Sequence, residues 1–388
     1  MLVIKDKTLC SGCSACEKIC PKNCIQMIAD AEGFLYPKTD EKACVNCGLC
    51  EKVCPITNKK NIQNQIAAAY AVFNNDNEVR KKSSSGGIFA LLAKTIIEKS
   101  GYVFGVGYNE DLTVAHKMVE SENQINDLRG SKYVQSDVNE TFLKVKQVLE
   151  QGSLALFTGT PCQIEGLYSF LGKEYENLIT QDVVCHGVSS PLVWKNYLKE
   201  QQNKFGAKPI KASFRDKRKS WSEFSMSLTF ENGKTYSKTL NKDVMLQAFL
   251  NNLCLRPSCY NCKFKQKVHA SDITLADFWG IEKVEPSLND GNGVSLVVIN
   301  SEKGERLFNE LKGNITSKLV SYDQAIKFNS AVLNSVNPPS NRAQFMVMAT
   351  AGEVKKAHKK YCKKSPIKTM CEAIHKFLYK IKTKLLRG

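Results

Sequence analysis

Along the body of the chain, apolar positions fall into short runs that switch between two periods. Ala67–Phe73, Tyr102–Tyr108, Val114–Val119, Leu154–Phe157 and Leu178–Val184 have the length and pattern of strands. Between them, residues 88–99, 137–150, 163–171 and 191–203 repeat apolar side chains at helical spacing. Such alternation predicts an α/β body. Beyond residue 210 strand-like segments crowd together, which predicts an α+β extension, and Asn232-Gly233 between two of them predicts a type I′ hairpin. The polar run from Asn58 to Gln65 reads as a linker. The expected organisation is therefore an N-terminal domain over 1–60, a body in two parts over 66–150 and 151–320, and a helical basic tail over 321–388.

The 388 residues are 43% hydrophobic and 24% charged, which is ordinary globular composition with room for more than one core. No apolar run reaches the length of a membrane span. Met1–Lys7 lacks the basic head and long apolar stretch of a secretory signal, so a cytoplasmic location is expected. The net charge of +17 is uneven, because residues 354–388 hold twelve Lys/Arg against Glu372 alone. In that tail Met370, Ile374, Phe377, Leu378, Ile381 and Leu385 recur at helical spacing with lysines between them. A basic amphipathic helix of this kind suits peripheral contact with an anionic membrane. An acidic partner and a solvated cover over the body are the alternatives.

Nine of the sixteen cysteines lie between Cys10 and Cys54, and none between Cys54 and Cys162. Without an export signal, clustered cysteines point to metal before disulfides. Cys10-x2-Cys13-x2-Cys16-x3-Cys20-Pro21 is written again as Cys44-x2-Cys47-x2-Cys50-x3-Cys54-Pro55. Two-residue gaps wrap three thiolates around one cubane, and the fourth cysteine serves the other cluster. Cys10, Cys13, Cys16 and Cys54 are thus expected to hold one 4Fe-4S cluster, and Cys44, Cys47, Cys50 and Cys20 its neighbour. A pair of zinc sites is the alternative, but zinc modules rarely show this triple-plus-one spacing. The segment resembles bacterial-type ferredoxins. Cys24 falls outside the pattern and reads as a small buried side chain. Glu17, Lys18, Glu51 and Lys52 give mixed charge around the loops, so no nucleic-acid partner is expected.

Several body loops look chemical. Ser83-Ser84-Ser85-Gly86-Gly87 opens the helix at Ile88 and suits a phosphate, with a plain flexible turn as the alternative. Gly159-Thr160-Pro161-Cys162 and Val184-Cys185-His186-Gly187 stand at neighbouring strand ends, where α/β sheets bind ligands. Cys254-x4-Cys259-x2-Cys262 needs one more ligand, which Cys185 or Cys162 would supply. A third 4Fe-4S cluster, zinc or a partly structural set all remain open for Cys185, Cys254, Cys259 and Cys262.

Taken together, SSGG at 84–87, GSKY at 130–133, GTPCQIEGL at 159–167, DVVCHGV at 182–188, FRDK at 214–217, RPSCYNC at 256–262 and SDITLADFWG at 271–280 resemble the coenzyme F420 hydrogenase/dehydrogenase beta-subunit family. The ordered succession covers roughly 68–310 and is more specific than any one motif. The resemblance implies an FAD-containing oxidoreductase with a flavin-binding α/β body. Ser84, Ser85, Gly86 and Gly87 would lie on the flavin phosphates, Lys132 would be a basic contact near flavin or substrate, and Thr160 and Cys162 would line the crevice. The expected activity passes electrons between the clusters and a two-electron carrier or small organic substrate through FAD, with a ferredoxin or other redox protein as partner. Some relatives sit beside polysaccharide-biosynthesis functions, which leaves the substrate open. The alternative is a non-catalytic electron-transfer or adaptor subunit.

Overall fold

The computed structural model of the protein describes residues 4, 6–58, 66 and 68–362. Most of the linker, Cys371 and the amphipathic segment from Met370 to Leu385 lie outside the described residues. No described helix is long and apolar enough to cross a membrane.

The first strands, β1 (Ile25–Ala29) and β2 (Leu35–Thr39), pair antiparallel between the two cysteine repeats. The body is built on β3 (Ala68–Asn74), β4 (Tyr102–Tyr108), β5 (Val114–Val119), β6 (Ala155–Gly159) and β7 (Leu178–Val183). A separate antiparallel sheet holds β8 (Pro209–Asp216), β9 (Ser225–Phe230) and β10 (Thr235–Thr239). The chain then returns to the main sheet through β11 (Ile273–Asp277), β12 (Ser295–Ile299) and β13 (Ile315–Leu319). The main sheet has the order β13-β3-β12-β11-β7-β6-β4-β5.

Direction in that sheet decides where chemistry can sit. β4, β6, β7 and β11 run parallel to their neighbours in turn, and β12 runs antiparallel to both β11 and β3. β3 therefore points the same way as the other four. Five strands end at one edge, at Asn74, Tyr108, Gly159, Val183 and Asp277. Ligands bind beyond the carboxyl ends of strands in sheets of this type.

Apolar residues on both faces of these strands seat helices on both sides, as the continuous runs in β6 and β12 require. On one side Leu92, Ala93 and Ile96 of the helix Ile88–Glu98 meet Val103, Leu156 and Ile273. On the other side Phe142, Ile164 and Leu167 pack with Phe104 and Phe157. That second core also takes in Cys13, Ala15 and Val53, so the N-terminal domain shares the body's interior. Residues 321–362, expected as part of the helical tail, are also integrated. Phe345, Met346, Ala349, Val354 and Ala357 are buried with Trp194 and Tyr197. Arg342 makes two bonds to the Glu32 carboxylate of the N-terminal domain, at 2.8 and 2.6 Å.

The hairpin at Asn232-Gly233 differs from expectation. Gly233 is left-handed at φ 77°, but Asn232 is not among the positive-φ residues. Gly233 N–H donates to Phe230 O and Phe230 N–H to Lys234 O, which makes a three-residue loop with one left-handed glycine. A type I′ turn would need both central residues at positive φ.

Candidate iron–sulfur centres and the crevice beside them

The two repeats fold alike. Gly12 and Ser14 in the first, and Asn46 and Gly48 in the second, take left-handed backbone, and a short helix follows each. The resulting tight loops aim three thiols inward. Burial pushes Cys13 up to about 12, and the charges of Cys10 and Cys54 add to the rise. Cys10 and Cys16 are raised for the same first reason, and Cys54 repels both. Cys54 thus belongs with Cys10, Cys13 and Cys16 in space, although it lies in the other repeat. Around the second site, Cys20, Cys44, Cys47 and Cys50 line one pocket.

Cys24 lines that same pocket, with its Sγ 3.3 Å from Cys20 Sγ. Burial raises the Cys20 thiol, but hydrogen bonds from the Cys24 N–H and thiol outweigh it and hold Cys20 below its ordinary value. Spacing alone could not mark Cys24 as a neighbour of a cluster ligand.

A third set of thiols is assembled from separate loops. Cys162, Cys185, Cys259 and Cys262 line a single pocket, together with His186, Lys265 and His269. Burial raises Cys162 well above its ordinary value, and Cys262, Cys185 and Cys259 add repulsion. Burial also takes Cys185 to about 12 and Cys259 to about 11. Both Cys162 and Cys185 are therefore present, and Cys254 is not in this pocket. Cys254 is fully buried in the apolar core beside Leu253, and its charged neighbours are Cys362 and Arg342. The reason is local: Cys254 sits in the middle of the buried apolar run Leu253–Leu255 after the helix Val244–Leu250, while Pro257 starts a 3-10 turn that carries Cys259 outward.

The donor chemistry fits iron–sulfur groups at all three places. Thiols as buried and mutually repelling as Cys13, Cys162, Cys185 and Cys259 gain by deprotonation only when a cation is shared among them, while the second set gathers its four thiols nearer the surface.

Helix Pro161–Leu171 ties two of the sets together. It opens with Pro161 and a capping box between Thr160 and Gln163, which fixes Cys162 in the first turn. Further along, a Cβ on Gly166 would lie 2.8 Å from Cys13 Cβ and 3.0 Å from its Sγ. Glycine at that position lets the helix touch the first repeat. Beside the third set, His269 Nδ1 lies 2.7 Å from Asp182 Oδ2. Burial lowers the His269 pKa, but the Asp182 charge and hydrogen bond carry it above its ordinary value.

The expected flavin residues fall at the same sheet edge but divide into two groups. Thr160 and Cys162 line the third thiol pocket. Ser84 lies against the 130–133 loop, where its Oγ accepts from Ser131 N–H at 2.8 Å. The rest of the loop is tightly built. Gly86 N–H donates to Ser295 Oγ, and Ser85 Oγ donates to Val294 O. A Cβ on Gly86 would stand 2.9 Å from Ser295 N, so glycine is needed there for packing against β12. Gly87, at φ 86°, caps the helix Ile88–Glu98, and no side chain caps its first amides. Lys132 Nζ donates to the carbonyls of Leu128, Arg129 and Asp127 at 2.9, 3.2 and 3.3 Å. Burial lowers its pKa to about 7.

Sequence alone does not single out Arg215. It pairs with Asp277 at 2.9 Å, donates to Ser84 O and to Tyr133 Oη, and leaves its buried Nε without a partner among the described residues. Trp221 Nε1 donates to the same Asp277, and Trp221 stacks on Trp279. The FRDK and ADFW segments are visible as strings, but only the sheet order brings Arg215 and Asp277 together.

Residues 153–324 match the family model for the C-terminal part of the coenzyme F420 hydrogenase/dehydrogenase beta subunit, and residues 9–58 match a 4Fe-4S dicluster domain. The chain carries that beta-subunit domain behind a dicluster domain. The structure is also similar to a chain of the xenon-derivatised F420-reducing NiFe hydrogenase complex from Methanosarcina barkeri. The identity is 16% and the TM-score 0.44, over 78% of this chain and 94% of that one. No curated protein matches the chain. Iron–sulfur electron transfer of an oxidoreductase kind is the activity class indicated by the two domain matches.

Proposed function

We propose that the protein is an iron–sulfur flavoprotein that moves electrons between a protein redox partner and a two-electron carrier or small organic substrate. One observation carries the reading: three sets of four thiols follow one another from the surface to the sheet's carboxyl edge. The second repeat forms the outer end, with Cys47, Val45 and Leu49 exposed. The first repeat comes next, and Thr8, Leu9 and Ser11 of its loop line the pocket of Cys162, Cys185, Cys259 and Cys262. Each set is assigned a 4Fe-4S cluster. A partner would dock at the exposed end.

FAD is assigned to the carboxyl edge of the main sheet, between the 84–87 loop and the third thiol set. Its contribution when bound is the exchange between paired and single electrons. Arg215, held by Asp277 and donating to Ser84 O, would fix the 84–87 loop against the cofactor. The uncapped first amides of the helix Ile88–Glu98 would face its phosphates. Thr160 would hold the opposite wall beside Cys162. Lys132, whose donors are spent on carbonyls, would position the 128–133 loop and not grip the ligand.

The test is anaerobic purification of the full chain, with flavin, iron and sulfide counted on one sample. The expected result is about one flavin and about twelve iron atoms per chain. Reduced ferredoxin, reduced F420 and reduced nicotinamides are then compared for the rate at which they bleach the flavin bands. Full iron without flavin would defeat the flavoprotein reading and favour an adaptor subunit.

A further inference from the structure

Arg256 is fully buried where the N-terminal domain meets the body. Its guanidinium donates from Nε to Cys10 O at 2.8 Å, from Nη1 to Gln135 Oε1 at 2.8 Å, and from Nη2 to Leu35 O at 2.9 Å. The same Nη2 lies 3.7 Å from Cys10 Sγ, and the group rests 4.1 Å above the Tyr36 ring. Among the described residues no carboxylate bonds to it. A buried cation held only by carbonyls, an amide and a thiol is costly unless a negative charge is near. The thiolate set of Cys10, Cys13, Cys16 and Cys54 is the charge in reach.

The backbone of Arg256 belongs to the other side of the junction. Its N–H donates to Val188 O, and its carbonyl accepts from Cys259 N–H. The residue that shapes the loop of the third thiol set therefore places its side chain on a ligand of the first. Gly12 permits this approach, since a Cβ there would stand 2.9 Å from the Arg256 Cζ and Nη1. No other described cation hydrogen-bonds to a thiol of the first set. The arrangement is specific to that set: the second set opens to solvent at Cys47.

We propose that Arg256 is a positioning residue that raises the reduction potential of the first cluster site and fixes its distance to the third. Each electron taken up makes the cluster one unit more negative, and a donor at a ligand sulfur stabilises that added charge. This rests on the assignment of clusters to the thiol sets.

The experiment is an anaerobic redox titration of the full reconstituted chain, followed by electron paramagnetic resonance, on Arg256→Gln and Arg256→Lys. At the parent's midpoint, Arg256→Gln should hold the first cluster at least tenfold less reduced, a shift of about 59 mV for one electron. The second cluster should not move and serves as the internal reference. Arg256→Lys keeps the charge but cannot reach Cys10 Sγ, Leu35 O and Gln135 together, so its shift should be smaller and in the same direction. Full iron with an unmoved first midpoint overturns the proposal, as does an equal shift of all clusters. If Arg256→Gln fails to retain iron, Arg256→Lys decides by the same criterion. A parent chain that takes up no iron would defeat the cluster assignment beneath it.

Discussion

In the repeat that begins at Cys10, Gly12 and Ser14 take φ of 71° and 66°. In the repeat that begins at Cys44, Asn46 and Gly48 take the equivalent places at 52° and 75°. The backbones are near copies, but their surroundings are opposite. Around the first loop Cys13 is 8% exposed and Ser14 3%, with Arg256 and Gln135 closing over Gly12. Around the second, Cys47 is exposed and nothing would lie within 4 Å of a Cβ on Gly48. Spacing within a repeat sets what it can bind. Residues more than a hundred positions away set whether it faces the body or a partner.

The largest effect should come from single ligands, read by iron content and by which cluster signal disappears. Cys54→Ser sits in the exposed repeat, yet should empty the buried site of Cys10, Cys13 and Cys16. Loss of the outer signal instead would break the crossed arrangement. In the same series Cys162→Ser should lose about four of about twelve irons. Cys254→Ser should keep all of them, because its side chain faces apolar neighbours. Iron loss from Cys254→Ser with none from Cys162→Ser would restore the set that spacing suggested.

That last contrast marks the limit of what the chain discloses before it folds. The repeats are legible because each loop is local: ligand, turn residue and helix start lie within eleven positions. The strands and helices of the body are legible for the same reason, and β4 and β5 fall where the apolar pattern puts them. The third thiol set is not local. It joins loops after β6 and β7 to the 3-10 turn at Pro257–Asn261, and only the sheet order makes them neighbours. Sequence proximity favours Cys254, although the apolar run Leu253-Cys254-Leu255 is a signal that this thiol faces a core. Arg256 and Arg215 give no such signal. Their meaning lies in partners at Cys10 and Asp277.

A smaller effect should appear when the left-handed positions are exchanged. Gly12→Asn adds a Cβ 2.6 Å from Gln135 Nε2 and 2.9 Å from Arg256, both held by other bonds. Overpacking of this kind costs about 1–3 kcal/mol, and displacing the buried guanidinium adds to it. Asn46→Gly meets open surroundings and a backbone that glycine adopts freely, so it should change stability by less than about 0.5 kcal/mol. Chemical denaturation of the iron-loaded variants checks both. Equal costs would mean that the two loops are constrained alike and that the body adds nothing to the first.

The last effect concerns pH on the buried side. His116 stacks on Phe157 at 5.3 Å in the layer beneath the first repeat, with Nε2 3.2 Å from Thr158 O and Nδ1 3.2 Å from Ser136 Oγ. Ser136 Oγ also accepts from Gln163 Nε2 at 2.9 Å, and Gln163 Oε1 accepts from Thr160 N–H at 3.0 Å. The imidazole is thus linked to the helix start that carries Cys162. Burial lowers its pKa from 6.5 to about 4, so the neutral ring is the folded form at neutral pH. Between these values the unfolded chain binds a proton that the folded chain refuses. Stability from this group is intact above pH 6.5 and falls by about 1.4 kcal/mol per pH unit as acid is added, roughly 3 kcal/mol over the window. His116→Gln should flatten that slope while Cys47→Ser, on the exposed repeat, leaves it in place. Denaturation midpoints taken from pH 7 down to pH 5 would show it. An unchanged slope in His116→Gln would mean that acid acts elsewhere, and that this buried layer gives the first repeat no pH sensitivity that the second lacks.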